Sequence, residues 1–442
     1  MGNYLRSMIE RRNTGEFCGI PSYCTANPIV LEACIELSKR NNEVVLIEAT
    51  ANQVNQFGGY TGMRPADFRD LVYKIAENVG FDRNNIILGG DHLGPLTWCG
   101  YPEKEAMSKA EELVYAYVKA GFKKIHLDTS MKLADDPVDE VLSDSTIAGR
   151  SARLCLACEK AYAKLLEHNP EEQRPVYIIG SEVPIPGGAQ QGESSITITK
   201  AASLSSTLKA YEKAFLSLGL GDAFNNIVGI VVQPGVEFGN DSFFLYDSSA
   251  ASSLTAESRK HKSLVLEGHS TDYQPAEALR AMVRDGIAIL KVGPALTFAL
   301  REGLFALSLM ERELLSDDHQ AHFPQVLEKA MLREPGKWAK YYHGTDLEQK
   351  LSRKYSYSDR CRYYLAEPEV KQAISRLLDN MCGVQIPMSM LHQYMPVQYS
   401  KVIRGLLSAD AYTLLKDFIV NAAEPYNYAS IPGYDIAEVH LR

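Results

Sequence analysis

Gly19-Ile20-Pro21-Ser22-Tyr23 ends the first apolar run of this chain. A doubly wound nucleotide-binding sheet would place a glycine-rich turn there, so that backbone N–H groups could approach a pyrophosphate. A proline and a serine stand there instead, and no GxGxxG or GxxxxGK(S/T) occurs in that setting. Bound NAD or ATP therefore has no support, and the rival architecture gains ground.

Working outward, short β-rich runs recur at Phe17–Tyr23, Val44–Glu48, Ile86–Gly90, Lys124–Leu127, Val176–Ile179, Ile227–Val232, Leu264–Leu266 and Ala288–Val292. Most are apolar along their length, as parallel strands buried on both faces should be. Helical patterns separate them, at Pro28–Arg40, Pro65–Val79, Lys104–Ala120, Thr146–Glu167, Ser205–Ser217 and Pro275–Asp285. Asn27-Pro28 and Gln274-Pro275 read as helix starts with proline in the first turn. Eight β/α units in about 300 residues are the size of a TIM barrel. The expectation is an α/β protein: a (β/α)8 barrel over residues 1–310, and a mainly helical C-terminal subdomain over 311–442 packed on it. The second part is rich in Tyr, Arg and Lys, as in Ser352-Arg353-Lys354-Tyr355 and Arg360-Cys361-Arg362-Tyr363-Tyr364.

Bulk properties narrow the function classes. The 442 residues are 45% hydrophobic and 23% charged, with a formal net charge of -9. That balance argues against a nucleic-acid partner, which would usually meet a basic stripe. There is no apolar run of membrane-spanning length and no charged-then-apolar leader. The eight cysteines are scattered through apolar segments, as reduced core residues are. Cys155 and Cys158 have CxxC spacing, but no second pair or nearby histidine accompanies them. The expectation is a cytoplasmic protein acting on small molecules, with a homo-oligomer as one form it could take.

Barrel chemistry sits at the C-terminal strand ends. In order these carry Ser22, Glu48, Asp91-His92, Asp128, Glu182, Gln233, His269 and Lys291. Gly89-Gly90-Asp91-His92-Leu93-Gly94-Pro95 lets an acid and an imidazole emerge together from a tightly bent backbone. Glu267-Gly268-His269-Ser270-Thr271-Asp272 follows strand seven and offers a second imidazole. Glu182, before Pro184-Ile185-Pro186-Gly187-Gly188, adds a carboxylate, and Gln233 or Glu237 could serve as a further ligand. Two histidines with one or two oxygen ligands suit zinc, with manganese, nickel or cobalt as alternatives. The expected metal ligands are thus His92, Glu182 and His269, and the expected acid/base groups are Asp91, Asp128 and Glu182. Ser22, Glu48, Gln233, Asp272 and Lys291 are expected to contact substrate. His126 reads as a packing residue; His319, His322, His343 and His440 read as surface residues. Tyr60, Tyr273 and Trp98 are candidate walls for a sugar ring.

Several of these motifs carry a specific likeness. With Gly19-Ile20-Pro21-Ser22, Leu46-Ile47-Glu48-Ala49-Thr50, Asn55-Gln56-Phe57-Gly58-Gly59-Tyr60, the Gly89–Pro95 and Glu267–Gln274 segments and Tyr355-Ser356-Tyr357-Ser358-Asp359-Arg360, the chain resembles the family of the non-catalytic subunit of D-tagatose-1,6-bisphosphate aldolase. That family looks like a relative of the zinc-dependent class II aldolases. By that likeness Asp91 corresponds to an acid/base aspartate, and His92 and His269 to zinc ligands. The third aldolase histidine would fall near Gln233–Glu237, where this chain has none. The Gly-Gly-Ser phosphate nest is likewise replaced by His269-Ser270-Thr271-Asp272, and Pro294 removes a donor after strand eight. Arg353, Lys354, Arg360 and Arg362 are then the candidate phosphate holders. The resemblance implies a metal-dependent ketose 4-epimerase interconverting tagatose and fructose, free or phosphorylated. Its alternatives are a stabilising partner of a class II aldolase catalytic subunit, or an aldolase in its own right.

Overall fold

Eight parallel strands close into a barrel in the computed structural model, which describes residues 3–183 and 196–434. They are β1 (Ile20–Cys24), β2 (Val45–Thr50), β3 (Ile86–Leu93), β4 (Lys124–Leu127), β5 (Val176–Ile179), β6 (Ile227–Val232), β7 (Val265–Gly268) and β8 (Ile287–Val292). Each pairs with its neighbours in sequence, and β8 closes on β1 through Ser22 opposite Lys291. Every expected run became a strand. β3 runs further than expected, to Leu93, so Asp91 and His92 lie on the strand itself rather than after it. A small hairpin, Glu237–Phe238 with Phe243–Phe244, was not anticipated and follows β6.

The helices begin where local chemistry dictates. Asn27 caps the helix Pro28–Asn41, its side chain accepting from the N–H groups of Ile29 and Val30. Pro275 differs from expectation. It occupies the cap position and the helix runs Ala276–Asp285, because Gln274 is held back by hydrogen bonds with the backbone of Tyr246 and Phe244. Cys155 and Cys158 are buried, unbridged thiols inside the helix Asp144–Leu166. No described helix is long and apolar enough to cross a membrane.

Residues two apart on a strand face the same side of a sheet. Ile20, Leu46, Val176, Val265 and Ile289 accordingly join Leu5, Met8 and Ile9 of the first helix, Tyr4–Asn13, in one apolar cluster. That helix plugs the N-terminal end of the barrel. Two positions further along, the same strands present Ser22, Glu48, Ile178, Glu267 and Lys291. The interior therefore turns from apolar to charged along its axis.

After β8 the helix Pro294–Leu314 leads into a helical C-terminal part. Its last helix, Ala411–Ser430, returns to the barrel and packs against Pro28–Asn41, Ala276–Asp285 and Pro294–Leu314. Tyr426 donates to the Thr271 carbonyl at 2.8 Å and Tyr23 to Asn427 at 3.2 Å, which ties this helix to the strand ends.

Candidate functional site

The charged layer is a connected ion-pair network. Lys124 Nζ lies 2.5 Å from Glu48 and 2.8 Å from Glu267, and all three side chains are fully buried. Lys291 Nζ pairs with Glu48 and sits 3.1 Å from Asp91 Oδ2. Burying these charges unpaired would cost several kcal/mol each, so the pairing is obligatory. Glycine spacing makes the room: a Cβ on Gly89 would stand 2.7 Å from the Glu48 carboxylate. At Gly94 a Cβ would stand 1.6 Å from the Asp128 carbonyl, so only glycine lets the β3 turn close against β4.

Above this layer three imidazoles converge. The His92 and His269 ring centres are 4.8 Å apart, and His126 lies 5.1 Å and 5.2 Å from them. His92 Nδ1 is 2.8 Å from Asp128 Oδ2, and Ser130 Oγ donates to the same carboxylate's Oδ1 at 2.6 Å. His126 Nδ1 is 3.0 Å from Asp91 Oδ1, and His269 Nε2 is 2.9 Å from Glu267 Oε1. His92 and Ser270 have positive φ, at 47° and 52°. Such backbone strain is sustained where the surroundings over-determine a functional geometry.

The electrostatics follow from the pairing. Burial alone would raise the Asp91 carboxyl, but Lys291 and His92 outweigh it and hold it well below the usual carboxylate range. Asp128 is lowered in the same way by its bond to His92. Burial lowers the His269 imidazole to about 4, so it is neutral near pH 7. His92 moves the other way: Asp91 and Asp128 overcome its burial and raise it.

A divalent cation fits these residues. Asp91, His126, Glu267 and His269 offer ligand atoms that all lie within 4.8 Å of one another. His126 Nε2 is buried with no hydrogen-bond partner. Its Nδ1 is near both Asp91 and the His92 N–H, 3.1 Å away. The His92 N–H donates to Nδ1 and the Asp91 carboxylate stands beside it, so Nε2 is the ring nitrogen left without a partner. Three carboxylates, Glu48, Asp91 and Glu267, face two ammonium groups, Lys124 and Lys291, so this layer lacks one positive charge.

The expected ligand set changes accordingly. His269 belongs to the compact group. Glu182 does not: it is exposed, at the start of the loop after β5, and Pro184–Gly188 beyond it lies outside the described residues. His92 stands beside the group, its Nε2 3.8 Å from Asp91. His126 and Glu267 stand in the compact group where His92 and Glu182 were expected. Among the other expected residues, Asp91, Asp272 and Lys291 line the cleft above the cluster; Asp128 and Glu48 sit behind it, holding His92 and the lysines. Gln233 spends its Oε1 on the N–H groups of Gly235 and Val236, as a turn former. Ser22 is fully buried below the cleft.

This cleft has a volume of about 980 Å³ including its open mouth. Its walls come from the barrel and from the C-terminal part, which contributes Arg362, Tyr363 and Leu365. Tyr60 lines it and packs edge-on against Tyr363 at 4.9 Å. Tyr273 is instead part of an aromatic cluster with Phe238, Phe298 and Tyr357, and Trp98 is buried against Phe57. His440 lies outside the described residues.

The sequence matches, over residues 5–431, the family described as D-tagatose-1,6-bisphosphate aldolase subunit GatZ/KbaZ-like. The chain belongs to this family. A member from Salmonella gallinarum, the D-tagatose-1,6-bisphosphate aldolase subunit GatZ, is 45% identical over 428 residues, covering 97% of this chain and 99% of that one. The protein of the same name from Klebsiella pneumoniae is 46% identical over 424 residues, 96% of this chain and 98% of its own. A crystal structure described as a probable tagatose 6 phosphate kinase from Sinorhizobium meliloti superposes with a TM-score of 0.85. It shares 43% identity and covers 93% of this chain and 100% of that chain. These relatives agree on the sugar in their names and differ on the reaction. The signal that would have drawn His126 and Glu267 into the candidate group is parity on the strands. His126 lies two residues after Lys124, and Glu267 two before His269, so each shares its neighbour's inward face.

Proposed function

We propose that the chain is a subunit of a D-tagatose-1,6-bisphosphate aldolase, and that its own barrel mouth is a working metal-dependent site for tagatose-type sugars. The association with an aldolase catalytic subunit is what the names of its full-length relatives support. The observation that carries the working site is the buried group of Asp91, His126, Glu267 and His269 opening into a cleft. A purely supportive subunit gains nothing from a buried charged layer, which costs desolvation at every member.

The residues suit carbon–carbon chemistry next to a carbonyl. A divalent ion held by His126, Glu267 and His269, with Asp91 beside it, would supply Lewis-acid polarisation of a ketose carbonyl and its neighbouring hydroxyl. Asp128 fixes the His92 ring, and Lys291 keeps Asp91 ionised. Asp91 Oδ2, on the cleft side, is the acceptor placed for a substrate hydroxyl proton, the role a general base needs. Removing the C4 hydroxyl proton allows the C3–C4 bond to break. Re-forming that bond on the other face of the new carbonyl inverts C4.

That sequence of events is a 4-epimerisation of tagatose and fructose, and it is the second reading: catalysis by this chain alone. It is favoured by the completeness of the charged set within one chain. The test mixes D-tagatose 1,6-bisphosphate, and separately the tagatose and fructose monophosphates, with the metal-loaded chain alone and with a class II aldolase catalytic subunit. Cleavage that rises when both chains are present supports the subunit role. Interconversion of C4 epimers by the chain alone supports the second reading. If neither occurs, the working-site proposal fails.

A further inference from the structure

We infer that Arg362, carried to the barrel mouth by the C-terminal part, is the anchor for a single phosphoryl group on the sugar. This rests on the proposed sugar site and names its substrate class, a ketose phosphate held at one phosphate only.

The usual place for a phosphate on such a barrel is already filled. Asp272 lines the cleft, and its Oδ1 accepts from the N–H groups of Gly293 and Ala295 at 3.1 and 2.8 Å, at the start of the helix Pro294–Leu314. Pro294 between them has no N–H to give. The donors that would cradle an anion are thus spent on a carboxylate of the chain itself, whose charge also repels a second anion.

Positive charge enters the cleft instead from the C-terminal part. Arg362 lines the cleft and, among the described residues, is hydrogen-bonded to the carbonyls of Ser358 and Asp359 and to the Tyr363 hydroxyl, the last at 2.8 Å. Asp359, whose charge acts on Arg362, is engaged by Arg301 and Thr297. Arg360 stacks over Tyr341 and lies 5.0 Å from the Tyr363 ring, and Lys337 lies 5.8 Å from the Tyr60 ring. None of Arg360, Arg362 and Lys337 forms a salt bridge among the described residues, in a protein of net charge -9. Burial would raise the Tyr363 phenol, but Arg362 and Arg360 outweigh it and lower it, which marks the same excess of positive charge. A planar guanidinium flanked by tyrosine hydroxyls is suited to phosphate oxygens. The other three candidate cations are differently employed: Arg353 pairs with Glu328, Arg360 is buried on Tyr341, and Lys354 does not line the cleft.

The test is calorimetric binding, independent of turnover, with inorganic phosphate, D-tagatose, its two monophosphates and its 1,6-bisphosphate as probes. The wild-type chain should bind inorganic phosphate, and the better monophosphate at least tenfold tighter than the free sugar. The bisphosphate should bind no tighter than that monophosphate. Arg362→Ala should erase the discrimination and leave free-sugar affinity in place. Arg362→Gln, which keeps a donor for the Ser358 and Asp359 carbonyls, should do the same in a chain whose fold is checked by circular dichroism. Retained discrimination in the folded Gln variant overturns the inference. So does a bisphosphate bound tenfold tighter than either monophosphate, or a wild type that binds no phosphate-bearing probe. Phosphate binding lost with Arg362 supports the anchor even where turnover of every sugar is absent, so its failure is separable from that of the sugar-site proposal.

Discussion

The two halves of the barrel interior are built from the same strands and obey opposite rules. Toward the N-terminal end, Ile20, Leu46, Val176, Val265 and Ile289 pack on a helical plug and exclude water. Two residues further on, Glu48, Glu267 and Lys291, joined by Lys124 of β4 and Asp91 of β3, fill the bore with charge. The lower half stabilises through apolar burial. The upper half gives up that gain to hold ionised groups in fixed positions, the usual division between the stability face and the functional face of such barrels. A strand step of two residues is all that separates them.

The largest expected effect breaks the upper half chemically. Asp91→Asn keeps the shape and removes the proton acceptor, and general-base losses run to about 10²–10⁴-fold in rate. Turnover of the metal-loaded chain on the tagatose and fructose phosphates checks it, and an unchanged rate removes Asp91 from that role. Next, Lys124→Met leaves Glu267 without its ammonium partner and Glu48 with Lys291 alone, with an expected destabilisation of about 3–5 kcal/mol. Chemical denaturation measures it. A change below about 1 kcal/mol would mean that the network is not the obligatory unit described here.

Leu46→Ala sharpens the contrast from below. A buried leucine lost from the apolar half should cost about 2–5 kcal/mol. Metal affinity per folded molecule should stay the same, since Leu46 touches only the lower cluster.

Asp272 marks the boundary with the cleft rim and gives a pH signature. Burial raises its carboxyl to about 6, against about 3.9 in an unfolded chain. Protonated Asp272 therefore favours the fold. Its contribution is complete below about pH 4 and is lost as pH rises through 6, on the order of 2–3 kcal/mol in all. Asp272→Asn should flatten stability over that window in denaturation curves taken from pH 4 to 7; an unaltered slope refutes the assignment. The smallest effect is expected at Glu182. As an exposed residue outside the ligand group it should tolerate Glu182→Gln with a stability change within about 0.5 kcal/mol and no loss of bound metal.

The contrast also explains what the sequence revealed. All eight strands were legible because parallel strands buried on both sides read as short apolar runs between helical periods. Asp91 and His269 were legible because they follow such runs, and Lys291 because it breaks one near its end. His126 was not, because it stands inside an apolar run, where a polar residue reads as packing, and Glu267 was passed over for the imidazole two residues on. Glu182 was drawn in by its position after β5, and position along the chain does not say whether a loop turns inward. Arg362 was one of four cations in a Tyr- and Arg-rich stretch, and only the return of the C-terminal part to the barrel mouth singles it out.

The central claim is that the upper half of the barrel is a divalent-metal site. The measurement that tests it most directly is equilibrium dialysis of the chelator-stripped chain against zinc, with His126→Ala and His269→Ala variants alongside. The account predicts one tightly held ion per wild-type chain and a loss of that ion in each variant. A wild type that binds none, or variants that keep the ion, would contradict it.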